Sequence, residues 1–144
     1  MEGENVTDTL LQSLETLQGN LRLGVIDTIG RRRDPRAVPR LSDLLTQSDA
    51  EVAAAAPAAA ALGMIGTTDS AEALSTQDDP DRKKSLASAV LIAGQRLVKS
   101  GSTQIAGGLF DHLREADVPK PYRIGATQNA MLARGKRGVD LVVE

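Results

Sequence analysis

Leu21-Arg22-Leu23-Gly24-Val25-Ile26-Asp27-Thr28-Ile29-Gly30, followed by Asp34-Pro35-Arg36-Ala37-Val38-Pro39-Arg40-Leu41, decides the fold because parts of it recur. Leu21-Arg22-Leu23-Gly24 returns as Tyr122-Arg123-Ile124-Gly125, 101 positions later. Ile29-Gly30 is echoed by Leu62-Gly63, 33 positions on, and the turn-and-helix opening Asp34 to Val38 is echoed by Asp69 to Ala73. The period is roughly 34 residues, and each copy reads as two helices. That is the pattern of an α-solenoid, in which no repeat buries its apolar face alone and stacking supplies the core.

Outward from that stretch, apolar residues keep helical spacing. Leu10, Leu11, Leu14 and Leu17 line one face of a helix over 6–17, with Asn5 or Thr7 as its cap. Gly19-Asn20 ends it, and a second helix runs from Leu21 to about Gly30. Arg31 to Asp34 form the turn. Asp34-Pro35 starts the third helix, since a carboxylate caps free amides and proline fits the first helical position. Val38, Leu41, Leu44 and Leu45 form its stripe.

Ser48-Asp49-Ala50-Glu51 opens the next unit, whose alanine-rich helix from Ala53 to Ala61 should kink at Pro57 and close at Gly63 and Gly66. Asp69 starts its short partner, and a polar loop fills 75–80. Asp79-Pro80 or Asp81 starts a long helix with Leu86, Val90, Ala93 and Leu97 on one side, ended by Ser100-Gly101-Ser102. Ile105, Leu109, Phe110, Leu113 and Ala116 define the helix after it. A turn with two prolines leads to a last pair, Tyr122 to Arg134 and about Val139 to Val143. No stretch alternates with period two. The expectation is one all-α domain over 1–144, a right-handed solenoid of units 20–48, 49–78, 79–117 and 118–144, with helix 6–17 as an N-terminal cap.

The 34-residue units resemble the bacterial HEAT-like repeats named after phycobilisome lyases. Arg22, Gly30, Asp34, Pro35, Ala37, Val38, Pro39 and Leu41 carry the likeness in the first unit; Val52, Leu62, Gly63, Ile65, Gly66, Ala71 and Leu74 carry it in the second. Ala53 departs from the arginine preferred there, and the stretch around Pro57 is two residues too long for the pattern. The resemblance implies a bacterial, armadillo-like scaffold that binds proteins, and such modules commonly form parts of larger proteins. The lyase members handle an open-chain tetrapyrrole, but one phenylalanine, one tyrosine and no cysteine make a poor chromophore site.

Composition narrows the chemistry. Formal charge is −2, which gives no general attraction to nucleic acid or anionic lipid. Absence of cysteine removes disulfides and thiol chemistry. His112 is the sole histidine, expected on a solvated helix face, so neither a His-based metal centre nor a Ser-His-Asp triad is supported. No catalytic residue, metal or cofactor is assigned. No apolar run approaches the ~18 residues of a membrane span and no secretory leader is visible. The chain reads as soluble, cytoplasmic by default, or as an excised segment of an exported protein.

Charge is patterned by unit. Residues 21–45 hold six arginines and three aspartates, 46–80 hold six carboxylates and no lysine or arginine, and 81–100 return to +4. The plain reading is pairing between neighbouring units and solvated turns. A nucleic-acid track is disfavoured because the acidic unit interrupts it and there is no tryptophan. The function expected is a non-catalytic protein-interaction scaffold, or else an auxiliary module of a larger bacterial enzyme. Arg22, Arg33, Arg36 and Arg123 are its candidate anchors, and Arg22 and Arg123 are expected to bridge to neighbouring units. The apolar Leu141-Val142-Val143 end predicts self-association through residues 124–143.

Overall fold

The computed structural model describes residues 2–46, 52–77 and 82–135. They form α1 (Glu2–Thr16), α2 (Gly19–Arg32), a 3-10 turn (Pro35–Ala37) running into α3 (Val38–Thr46), α4 (Val52–Ile65), α5 (Thr68–Ser75), α6 (Lys83–Lys99), α7 (Thr103–Glu115) and α8 (Lys120–Arg134). No strand occurs among the described residues. α2 packs on α4, α4 on α6 and α6 on α8, which makes one layer. α3 packs on α5 and α5 on α7, which makes the second, and α1 lies against α2 and the 3-10 turn. The chain is an α-solenoid of stacked helical pairs.

Small residues set the layer spacing. Ala54, Ala55, Ala58, Ala59 and Ala61 of α4 are all buried, and its neighbours approach closely. A Cβ on Gly63 would stand 2.8 Å from the carbonyl oxygen of Ala89, so α4 and α6 meet backbone to backbone. The helical stripes fall where periodicity places them: Val38, Leu41, Leu44 and Leu45 on α3, and Leu86, Val90, Ala93 and Leu97 on α6, are buried. Phe110 is fully buried, its ring seated on Gly94.

Two long-range bonds carry the repeat in their sequence separation. Gln95 donates to Asn129 across α6 and α8 at 3.4 Å, and Lys83 pairs with Asp117 at 2.6 Å, both 34 residues apart. Arg82 donates to the Leu45 carbonyl at 2.9 Å, satisfying an acceptor left open at the end of α3.

Local chemistry differs from expectation at five places. Thr7 caps nothing: α1 begins at Glu2, and Thr7 is buried within it with its hydroxyl bonded to Asp34. α2 continues through Arg32 and stops at Arg33, a non-glycine residue at φ 55°. α4 closes at Gly66, at φ +62°, and not at Gly63, and it stays helical across Pro57. One lost backbone bond is outweighed where packing holds a helix on both flanks. Thr67, not Asp69, caps α5, in a reciprocal pair with Ser70. Ile105 is exposed, because α7 buries its other side through Ala106, Leu109, Phe110 and Leu113. The expected starts at Ser48–Glu51 and at Asp79–Asp81, and the helix at 139–143, lie outside the described residues.

Candidate functional site

Arg22 and Arg123 each occupy the fourth position of a first-layer helix, α2 and α8 respectively. Two helices stand between those elements, so at 8–10 Å per helix pair the two arginines are roughly 25–30 Å apart. Arg22 is half-buried and its Nε is enclosed by protein. Arg123 is exposed. A bridge of the kind expected of these two is made by Arg82, to the Leu45 carbonyl.

Arg36 is committed inside the molecule. Its Nη2 lies 2.8 Å from Asp34 Oδ2, its Nε bonds both oxygens of that carboxylate, and Nη1 is 3.6 Å from Asp8. The Arg36 guanidinium, with the Arg36 amide and the Thr7 hydroxyl, holds the Asp34 carboxyl well below the usual carboxylate range, against the opposing effect of burial. This cluster is a clasp between α1 and the start of α3.

Arg33 ends α2, exposed, its amide bonded to the Gly30 carbonyl at 3.1 Å. Its charge acts on Arg96 of α6, whose pKa lies below the ordinary value, first through burial and then through Arg33. The stem of Arg96 lies over Gly66: a Cβ there would be 2.5 Å from Arg96 Cβ. The four predicted arginines are therefore not gathered at one place, and reading single units missed Arg96. The period brings that helix end into view, since α2, α4 and α6 end at about 33, 66 and 99, but it selects Lys99 and not Arg96.

Arg134 makes a two-pronged pair with Asp111 of α7, Nη1 to Oδ1 at 3.2 Å and Nη2 to Oδ2, lying over Gly107. Arg114 reaches the same carboxylate. Asp117 is held below the usual range by its hydrogen bond to Lys83, then by the charges of Lys83 and Arg123.

Between α5, α6 and α7 lies a cleft of about 390 Å³ walled by Leu74, Leu86, Val90 and Leu113, with the Lys83–Asp117 pair and His112 at its margin. A second cleft of about 330 Å³ shares Ser75 and His112 and continues over Ala71 and Leu109. His112 is exposed on α7, as its expected solvated face requires. These hollows suit apolar side chains better than a small polar ligand, which needs convergent polar groups at depth. Among the described residues no group of three or more potential ligands is arranged to hold a metal ion, and no helix is long and apolar enough to cross a membrane.

A family model describing HEAT repeats matches residues 7–92, more than half the chain, from α1 into α6. No curated protein and no solved structure matches it.

Proposed function

We propose, from the premise that this chain belongs to the HEAT-repeat family, that it is a non-catalytic scaffold whose stacked helices hold a protein partner. The family is generally non-catalytic and typically mediates protein interactions. The narrower likeness to phycobilisome-lyase repeats remains a resemblance of residues. In this reading the domain has four units, 20–48, 49–78, 79–117 and 118–144, with α1 as its cap.

The observation that carries the reading is register. Arg22 and Arg123 sit at one helical position in two units, and Lys83–Asp117 and Gln95–Asn129 tie positions 34 residues apart. Side chains on such a support recur at helix spacing without being ordered anew on binding, which reduces the entropic cost of association. Arg33, Arg36 and Arg123 are the exposed members of the candidate set; Arg33 and Arg123, which no carboxylate holds among the described residues, serve as partner contacts. Arg22 and Arg36, more enclosed or already bonded, serve the support.

The test is affinity capture on the full chain compared with an Arg123→Gln variant whose helical circular dichroism is unchanged. A partner held by the wild type and lost by the variant is the expected result. Equal retention by both removes Arg123 from the interface, and no specific partner on either removes the scaffold reading.

A further inference from the structure

Three first-layer helices end along one edge of the stack: α2 at Arg33, α4 at Gly66, and α6 at Arg96 to Lys99. Several acidic and basic side chains in the fold find one another. Asp27 holds Arg31, Asp34 holds Arg36, Asp111 holds Arg134, and Asp117 holds Lys83. Arg33 and Arg96 do not: the charge of Arg33 bears on Arg96, and among the described residues neither forms an ion pair. The Nε of Arg96 is enclosed and has no acceptor. Asp69, at the start of α5, bonds neither arginine.

Backbone conformation supplies an independent observation. The residues at positive φ just past α4, α6 and α8 are glycines, namely Gly66, Gly101 and Gly135. Past α2 the residue is Arg33, the one non-glycine at positive φ among the described residues. A left-handed conformation is disfavoured for an L-residue, because its Cβ crowds the following carbonyl oxygen. Such a cost, kept at a position where sister units use glycine, points to a task for the side chain. At Gly66 the opposite choice clears the space through which the Arg96 stem passes.

We propose that this edge docks a carboxylate-rich segment of a partner protein, with Arg33 and Arg96 as paired anchors and Lys99 beside them. The proposal rests on the scaffold reading and names the partner's chemistry. Guanidinium groups match carboxylates in two-pronged geometry, and an incoming acid relieves the repulsion between the two arginines. A nucleic-acid strand fits less well. It needs a long cationic track and aromatic faces for bases. Here the cations are few, Phe110 is fully buried, and Tyr122 is half-buried on α8.

The test uses the full chain at low salt and a fluorescein-labelled peptide of ten glutamates, read by anisotropy. Wild type binds, and binding falls as salt rises. Arg33→Gln with Arg96→Gln weakens it by about tenfold or more, the loss of roughly 1.4 kcal/mol. Lys84→Gln with Lys120→Gln, the same loss of two charges where α6 and α8 start, leaves binding unaltered. Arg33→Gly raises Tm while weakening binding, because it removes strain and repulsion together. Wild-type affinity in the double variant overturns the proposal, as does a lowered Tm for Arg33→Gly, which would make Arg33 structural. A duplex DNA of equal charge that binds more tightly with the same arginine dependence replaces the acidic partner with nucleic acid. Failure here alongside a partner lost on Arg123→Gln discards the edge and leaves the scaffold standing.

Discussion

At Gly94 two rules oppose each other and magnitude decides. Alanine is favoured over glycine inside a helix by about 1 kcal/mol. Yet a Cβ at 94 would stand 2.4 Å from two ring carbons of Phe110, whose side chain has no exposed surface and nowhere to move. Overpacking of that sort costs about 1–3 kcal/mol. Gly94→Ala is therefore expected to lower Tm, and Phe110→Leu in the same chain to recover part of the loss; thermal melts of the three variants check it. Gly66 has no such contest. Its φ of +62° and the Arg96 stem both exclude a side chain, so Gly66→Ala should cost about 1–2 kcal/mol from conformation alone, with displacement of Arg96 added. Urea midpoints at neutral pH measure it. A loss below about 0.5 kcal/mol would mean the turn relaxes easily.

Between elements, the Asp34 clasp joins α1 to the 3-10 turn through Thr7, Asp8 and Arg36. Folding lowers the Asp34 pKa, so its stabilisation is complete above the unfolded value near 4 and is lost as pH falls through the folded value. Asp34→Ala should cost about 1–2 kcal/mol at pH 7, and the gap from wild type should narrow steadily below about pH 4. Urea midpoints across that range test the sign; a gap that widens in acid refutes it. The Asp34-Pro35 start was legible because cap and proline are adjacent. The buried Thr7 was not, since its partner is 27 positions away and only packing brings them together. Helical stripes such as Leu41, Leu44 and Leu45 were equally plain, because burial there repeats at 3.6 residues. Thr67 was hidden for a different reason: Thr67, Thr68, Asp69 and Ser70 are all polar, and side-chain geometry alone picks the cap. Of the candidate site, the arginines were visible as a charge block. Their division into clasp, support and edge was not, because that depends on which helix ends share an edge.

For the whole molecule, α8 presents Ile124 and Leu132, 47% and 74% exposed, opposite the buried Ala126, Ala130 and Ala133. Self-association through residues 124–143 is accordingly proposed as a two-fold pair, one patch meeting its own copy. Sedimentation of wild type against Ile124→Lys, Leu132→Asp should show a dimer only in the former. A wild-type chain that stays monomeric at high concentration sinks it. α4 bears on a different property, the order in which the stack comes apart. It is walled by α2 on one flank and α6 on the other, with α3 and α5 beneath, and its buried side chains are five alanines with Leu62 and Ile65. Alanine loses no rotamers on burial, so this slab gives back little entropy on release, while its departure would strip a wall from both neighbours at once. Opening should begin at the outer helices, with α4 the last to part. Amide hydrogens of α4 and α6 are expected to exchange only with global unfolding, and those of α1 and α8 far sooner. Uniform protection would mark a single cooperative block. The gradient would make the stack's middle a clasp that closes last to open, so that a partner pulling on either end loosens that end without dissolving the rest.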